Sequence, residues 1–176
     1  MEYLKIIYIM KKFISLLSIT VGGIISGFAA DYVVVAKDGN VYDEASARYI
    51  TVNQNNEDVA VMPGMVFETS EHTPGWYKIE YTPGLHAFLP DQIVASSLKS
   101  VPAGIYEIKN NPGQKLSAEN SGGNWSATVD GKTYKGKSSQ DVLLFIDNGN
   151  NIAFSIVDLG DGPIAITYDN SVTKFF

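Results

Sequence analysis

From residue 31 onward the chain shows short apolar runs, some continuous and some alternating with polar residues. No window sustains the 3.6-residue spacing of an amphipathic helix, and Gly, Pro, Asn and Asp separate the runs. This pattern predicts an all-β protein. In the first half, strands are expected over residues 32–36, 40–42, 59–62, 65–69, 76–81 and 85–89. Residues 53–58 (NQNNED) are polar throughout and predict a solvated loop. Residues 70–74 (SEHTP) read as a hairpin loop, and 91–97 as one helical turn with a polar outer face.

A connector follows. Pro102 in 96–103 (SSLKSVPA) cannot donate to a sheet ladder, which places a domain boundary near residue 100 and a linker over 99–103. The second half reads as a meander with strands over 105–109, 116–119, 125–129, 132–135, 142–146, 152–157 and 164–168. Asn111-Pro112-Gly113 marks a turn, and Asp130-Gly131 is the pair favoured by type I′ hairpins, where both positions need positive φ. The expected architecture is a small N-terminal barrel over 31–98 and a second antiparallel β barrel or sandwich over 104–176.

The N-terminal segment has another character. After Met10-Lys11-Lys12, residues 13–30 (FISLLSITVGGIISGFAA) carry no charge, the form of a secretory signal. Cleavage is expected after Ala29, with Gly27 and Ala29 at the small-residue positions, so residues 1–29 form the leader. The Lys pair directly after Met10 points to translation starting there. The competing reading is an uncleaved anchor, since spanning a bilayer takes about 20 apolar residues. Gly22, Gly23 and Gly27 with the serines dilute the segment and favour removal. The expectation is export to the periplasm or cell surface, with no stable membrane insertion after cleavage.

Charge and cysteine content narrow the partners. The formal net charge is −6, and setting aside Glu2, Lys5, Lys11 and Lys12 of the leader makes the remainder −8. So acidic a chain repels phosphate backbones and anionic lipid, and nucleic acid is not an expected partner. With no cysteine, a disulfide framework, a thiol nucleophile and a thiolate metal site are all excluded. The two histidines, His72 and His86, are not accompanied by a Gly-x-Ser-x-Gly elbow. The Asp-, Asn- and Gly-rich stretches 147–150 and 158–162 lack the spaced oxygen ligands of a calcium loop and read as plain turns. No catalytic residue, metal or cofactor is expected.

Within residues 31–98, Asn40-Val41-Tyr42, Pro63-Gly64-Met65-Val66-Phe67, Gly75-Trp76-Tyr77-Lys78-Ile79, Pro83-Gly84, Ala87-Phe88-Leu89 and Ile93-Val94 follow one another in order. This succession resembles a bacterial SH3-like domain. It departs from the family pattern at Tyr42, where Arg is common, and at Phe88, where Trp is usual. Residues 103–176 carry no such resemblance.

The resemblance implies a small barrel that recognises an extended ligand, and relatives often accompany cell-wall peptidases. Tyr42, Trp76, Tyr77 and Phe88 are the expected ligand-binding residues, since aromatic rings can line a groove for a peptide or sugar. Alternation puts Trp76 and Lys78 on one side of their strand and Tyr77 and Ile79 on the other, so that one of Trp76 and Tyr77 should be buried. The expected function is an exported, non-catalytic binding protein whose partner is a peptidoglycan peptide or an envelope protein. The alternative is a structural subunit of an envelope or surface complex with no small ligand, which would show an exposed apolar patch on the C-terminal sheet.

Overall fold

A computed structural model describes residues 31–52, 56–82, 84–149 and 151–168. The expected signal peptide and start site lie outside the described residues, as do residues 53–55 of the expected polar loop. Among the described residues no helix is long and apolar enough to cross a membrane.

The protein is all-β. The first sheet has the order β1-β4-β5-β6, built from Asp31–Val34, Val66–Thr73, Trp76–Thr82 and Leu85–Pro90. A two-stranded pair, β2 (Gly39–Asn40) and β3 (Ala60–Val61), folds beside it. Val33, Val35, Val41, Met65, Phe67, Ile79 and Leu89 fill the space between them. The odd-numbered residues come from strands in strict alternation, which is why Phe67, Ile79 and Leu89 meet in one core. A 3-10 turn, Asp91–Ile93, closes this part of the chain and is shorter than the helical turn the sequence predicts.

The second sheet takes seven strands in chain order: β7 (Gly104–Glu107), β8 (Lys115–Ser121), β9 (Asn124–Val129), β10 (Lys132–Ser139), β11 (Val142–Ile146), β12 (Ile152–Asp158) and β13 (Pro163–Thr167). It curls into a nearly closed barrel. Ile108 makes a parallel bridge with Ala165, and the Lys109 amide donates to the Ala165 carbonyl at 2.9 Å. The Asn110 side chain then acts as a further peptide group: its Nδ2 donates to the Thr167 carbonyl at 2.8 Å and its Oδ1 accepts the Thr167 amide hydrogen at 3.0 Å. Closure removes an edge that would otherwise invite pairing with another chain. Ile108, Leu116, Ala127, Phe145 and Ile156 fill the interior. At Gly136 a Cβ would lie 2.5 Å from that of Trp125 and 2.8 Å from the Phe145 ring, so only glycine lets β9, β10 and β11 curl this tightly.

Several strands are longer than their apolar runs. β8 extends to Ser121 and pairs with β9 through Asn124, and β10 continues past Lys135 to Ser139, with Lys137 opposite Leu144 and Ser139 opposite Val142. In β10 the apolar partner strand β11 holds these polar residues in the ladder whatever their own preference. The hairpin between β9 and β10 has φ of +50° at Asp130 and +78° at Gly131, as its sequence requires.

The two sheets share a core. Val34 and Val66 on the outer face of the first sheet pack with Val142, Leu144 and Val157 on the outer face of the barrel. β11 is therefore buried on both faces: Leu143 and Phe145 point into the barrel while Val142 and Leu144 point at the first sheet. Tyr168 goes further and lies in the first module's core, where its hydroxyl accepts the Val66 amide hydrogen at 2.9 Å and shares a 2.8 Å hydrogen bond with Ser155. Gly64 marks the closest approach: a Cβ there would stand 2.7 Å from Ile164, and its φ is +99°. The connector is also held. The Lys99 amide donates to the Asp158 carbonyl at 2.9 Å, and Val101 is buried in the barrel core. From Asp31 onward the chain is one compact unit.

Candidate functional site

The register of the first sheet decides which aromatic residues can act together. In β5 and β6, Trp76 stands opposite Pro90 and Lys78 opposite Phe88. Tyr42 forms an antiparallel bridge with Phe88, their amides and carbonyls exchanging hydrogen bonds of 2.9 and 2.8 Å. Directly opposed residues in an antiparallel ladder project to the same side. Tyr42, Trp76 and Phe88 therefore share one face, together with Lys78 and Pro90.

The rings are in contact as well as neighbours. Tyr42 meets Trp76 edge-to-face, with centroids 5.5 Å apart and planes at 82°. Such a pair contributes about 0.5–1.5 kcal/mol beyond its buried area and fixes the ring orientations. Tyr42, Trp76 and Phe88 are all half-buried, as is Lys78, which makes no ion pair among the described residues. The face thus combines apolar ring surface with a lysine side chain. The loop after Tyr42 folds back through a Tyr42–Ile50 bridge and presents Tyr49, 52% exposed, with the Arg48 guanidinium 5.1 Å from its ring centroid.

Tyr77 belongs elsewhere. It lies on the opposite side of β5, at the margin of the first core, and stacks on His72 with centroids 4.2 Å apart and planes at 24°. The expectation that either Trp76 or Tyr77 would be buried fails, because both are half-buried on opposite sides of an open-ended module. His72 is also misplaced by its sequence context. It sits on β4 opposite Tyr77, not in a hairpin loop, because an irregularity between Thr69 and Glu71 carries the strand on through Thr73 to a tighter turn at Pro74-Gly75. Its Nε2 is 3.1 Å from both carboxylate oxygens of Asp91. The other histidine, His86, stands opposite Glu80 on β5.

No protein-family model, curated protein or solved structure matches this chain. Its function has to be argued from its own geometry.

Two recesses have linings that include none of the Tyr42, Trp76 and Phe88 rings. A groove of about 580 Å³ runs between the β1 side of the first module and the β10–β11 turn, lined in part by Tyr32, Glu71, His72, Tyr77, Ser97 and Gln140. Burial, then the charge of Glu68, raises the pKa of the Tyr32 phenol above its ordinary value. A second recess of about 470 Å³ lies at one end of the barrel beside Tyr134 and Lys132, whose Nζ is 4.8 Å from the Tyr134 ring centroid. Its amides are already engaged: Asn111 Nδ2 donates to Gln114 Oε1 at 2.8 Å, and Asn110 closes the barrel. Asp147 Oδ1 likewise accepts the Gly149 and Asn151 amides at 2.8 and 2.9 Å, an ordinary Asx turn. Among the described residues no group of three or more His, Asp or Glu side chains is placed to hold a metal ion.

Of the four expected site residues, Tyr42, Trp76 and Phe88 come together and Tyr77 does not. Lys78 could be placed beside Trp76 by alternation alone. Pro90 carries no sequence signal for this face, since its position depends on the β5–β6 register.

Proposed function

We propose that this is an exported, non-catalytic binding protein whose first module, of SH3-like type, recognises an extended ligand such as a cell-wall peptide or a segment of a partner protein. The carrying observation is the shared face of Tyr42, Trp76 and Phe88, pre-oriented by the edge-to-face pair, with Lys78 on the same side. Half-buried rings present apolar surface at little entropic cost, because their rotamers are already fixed. Lys78 supplies a counter-charge for a ligand carboxylate, the kind of group a peptide stem or acidic segment provides. The barrel packs on the same sheet over β1 and β4, which holds in place the strands that carry the face.

The alternative of an assembly subunit calls for an open apolar surface on the second sheet. The apolar outer face of β11 and β12 is covered by Val34 and Val66, and Ile105 is the barrel's single large hydrophobic exposed among the described residues, at 71%. Isolated exposed side chains of this sort are ordinary. The ligand-binding reading is therefore preferred.

Sedimentation with purified peptidoglycan, comparing the wild type with Trp76→Ala and Tyr42→Ala, tests the cell-wall version. Retention should fall by about tenfold or more for Trp76→Ala, the size expected for an aromatic anchor. Equal, background-level retention of all three proteins would remove it.

A further inference from the structure

The groove beside β1 has a feature that the aromatic face lacks, a strand edge without a partner. Val35 directs its backbone groups to β4: its amide donates to the Met65 carbonyl at 2.9 Å and its carbonyl accepts the Gly64 amide at 2.9 Å. Even-numbered residues must then direct theirs the other way. They do so: the Val34 carbonyl accepts the Ala95 amide at 2.8 Å and the Ala36 amide donates to the Ile93 carbonyl at 2.7 Å. Past Ala95 the flanking segment peels away from β1. Among the described residues no backbone group reaches the Val34 amide or the amide and carbonyl of Tyr32. The groove of about 580 Å³ opens at this point, with Tyr32, Val33 and Val34 on one wall and Gln140 and Val142 on another.

Half-buried Tyr32 offers a donor and an acceptor in strand geometry, and the amide of the buried Val34 lies at the inner end of the same edge, an arrangement suited to an added strand. The groove's volume lies within the range of ordinary ligand sites, about 300–1,000 Å³. Its charge selects the occupant. Glu71 lines it, Glu68 lies beside Tyr32, and Asp91 stands behind His72, whereas no Lys or Arg lines it. Lys78 is opposite Glu71 in the β4–β5 register but makes no ion pair with it. The turn that forms the far wall is also held in an uncommon conformation, with φ of +50° at Gln140 and +63° at Asp141.

We infer that this groove binds an extended peptide carrying basic side chains, which adds as a strand to the free edge of β1 and places a cationic group at Glu71. This site adjoins the Tyr42–Trp76–Phe88 face where Glu71 stands opposite Lys78, but its lining includes none of those three rings and it does not depend on that face binding anything. Backbone pairing would supply affinity, and the Tyr77–His72 stack and Glu71 would select side chains.

The test uses the synthetic peptide Thr-Lys-Val-Lys-Val-Thr, its glutamate counterpart, and the lysine peptide N-methylated at alternate residues, titrated into the isotope-labelled protein and followed by amide resonances and hydrogen exchange. Saturable shifts at Tyr32–Val34 and at 96–98, with slowed exchange of the Tyr32 and Val34 amides, are expected. Both control peptides should bind about tenfold more weakly or worse. Ser97→Trp fills the groove from an exposed position and should weaken binding by about tenfold with an unchanged thermal midpoint, while Trp76→Ala should leave it within about twofold. Binding of the N-methylated peptide equal to that of its parent, undiminished binding to Ser97→Trp, or the absence of shifts along β1 would each overturn the inference.

Discussion

The outer surface of the first sheet is used in two ways. Over β1 and β4 it carries Val34 and Val66, which are sealed against Val142, Leu144 and Val157 of the barrel. Over β5 and β6 it carries Trp76, Lys78 and Phe88, joined by Tyr42, and these stay half-open. Both halves follow the same two-residue period, so alternation alone cannot tell them apart. Side-chain chemistry does. The sealed half is β-branched aliphatic, which packs densely and leaves no polar atom to satisfy. The open half is aromatic and cationic, groups with apolar bodies and polar tips that remain compatible with water. One sheet thus builds an internal seam and an external surface from a single alternating pattern.

The largest expected effect lies at the seam. Gly64→Val would drive a side chain into Ile164 at a backbone φ of +99°, combining overpacking with a left-handed penalty, and should destabilise by about 3–4 kcal/mol. Urea denaturation monitored by both tryptophans should show one transition moving to lower denaturant. Two separated transitions in the wild type would break the picture of a shared core.

Tyr168→Phe comes next. It leaves the Val66 amide and Ser155 hydroxyl short of a partner and should cost about 1–3 kcal/mol. The same residue gives a pH signature. Burial pushes the Tyr168 phenol up to about 12, against the pull of its hydrogen bonds with Ser155 and Val66. A raised folded-state pKa means that its stabilisation is complete below the unfolded value near 10 and is lost as pH climbs from there towards about 12. That loss is of order 2–3 kcal/mol. Denaturation midpoints measured from pH 9 to 12 should fall more steeply in the wild type than in Tyr168→Phe; equal slopes would count against the buried phenol.

On the open half, Trp76→Ala should cost about 1–2 kcal/mol, since it removes a half-buried ring and one edge-to-face contact. A loss comparable to Gly64→Val would mean that the aromatic face is core and not surface. The smallest effect is a gain. Gln140→Gly relieves the left-handed φ of +50° in the β10–β11 turn and should stabilise by about 0.5–1 kcal/mol, read as a rise in thermal midpoint.

The contrast between the halves also explains what could be read from the sequence. The all-β class was legible from the short apolar runs, and the Asp130-Gly131 hairpin from the need for positive φ. The continuous run from Val142 to Ile146 carried the mark of a strand buried on both faces. Its second covering layer was not legible, because Val34 and Val66 lie far away in the chain. His72 was read as a loop residue because a local polar cluster outweighed the pairing with Tyr77 that a register irregularity makes possible. Tyr168 gave no warning of its place in the first module's core, since its partners Val66 and Ser155 come from two different sheets. Three of the four expected site residues could be grouped once the register was known, while Tyr77 was separated by the alternation already visible between it and Trp76. The groove beside β1 was beyond sequence reasoning altogether, because its walls come from residues 32–34, 69–72, 77, 94–98, 140 and 142.

The most direct measurement of the open aromatic half uses Trp76 as its own reporter. With Trp125→Phe leaving Trp76 as the chain's one tryptophan, fluorescence would be titrated with soluble peptidoglycan stem peptides. A saturable blue shift, abolished by Tyr42→Ala, is the expected result. Emission that stays constant through the whole titration, in a protein shown to be folded, would contradict it.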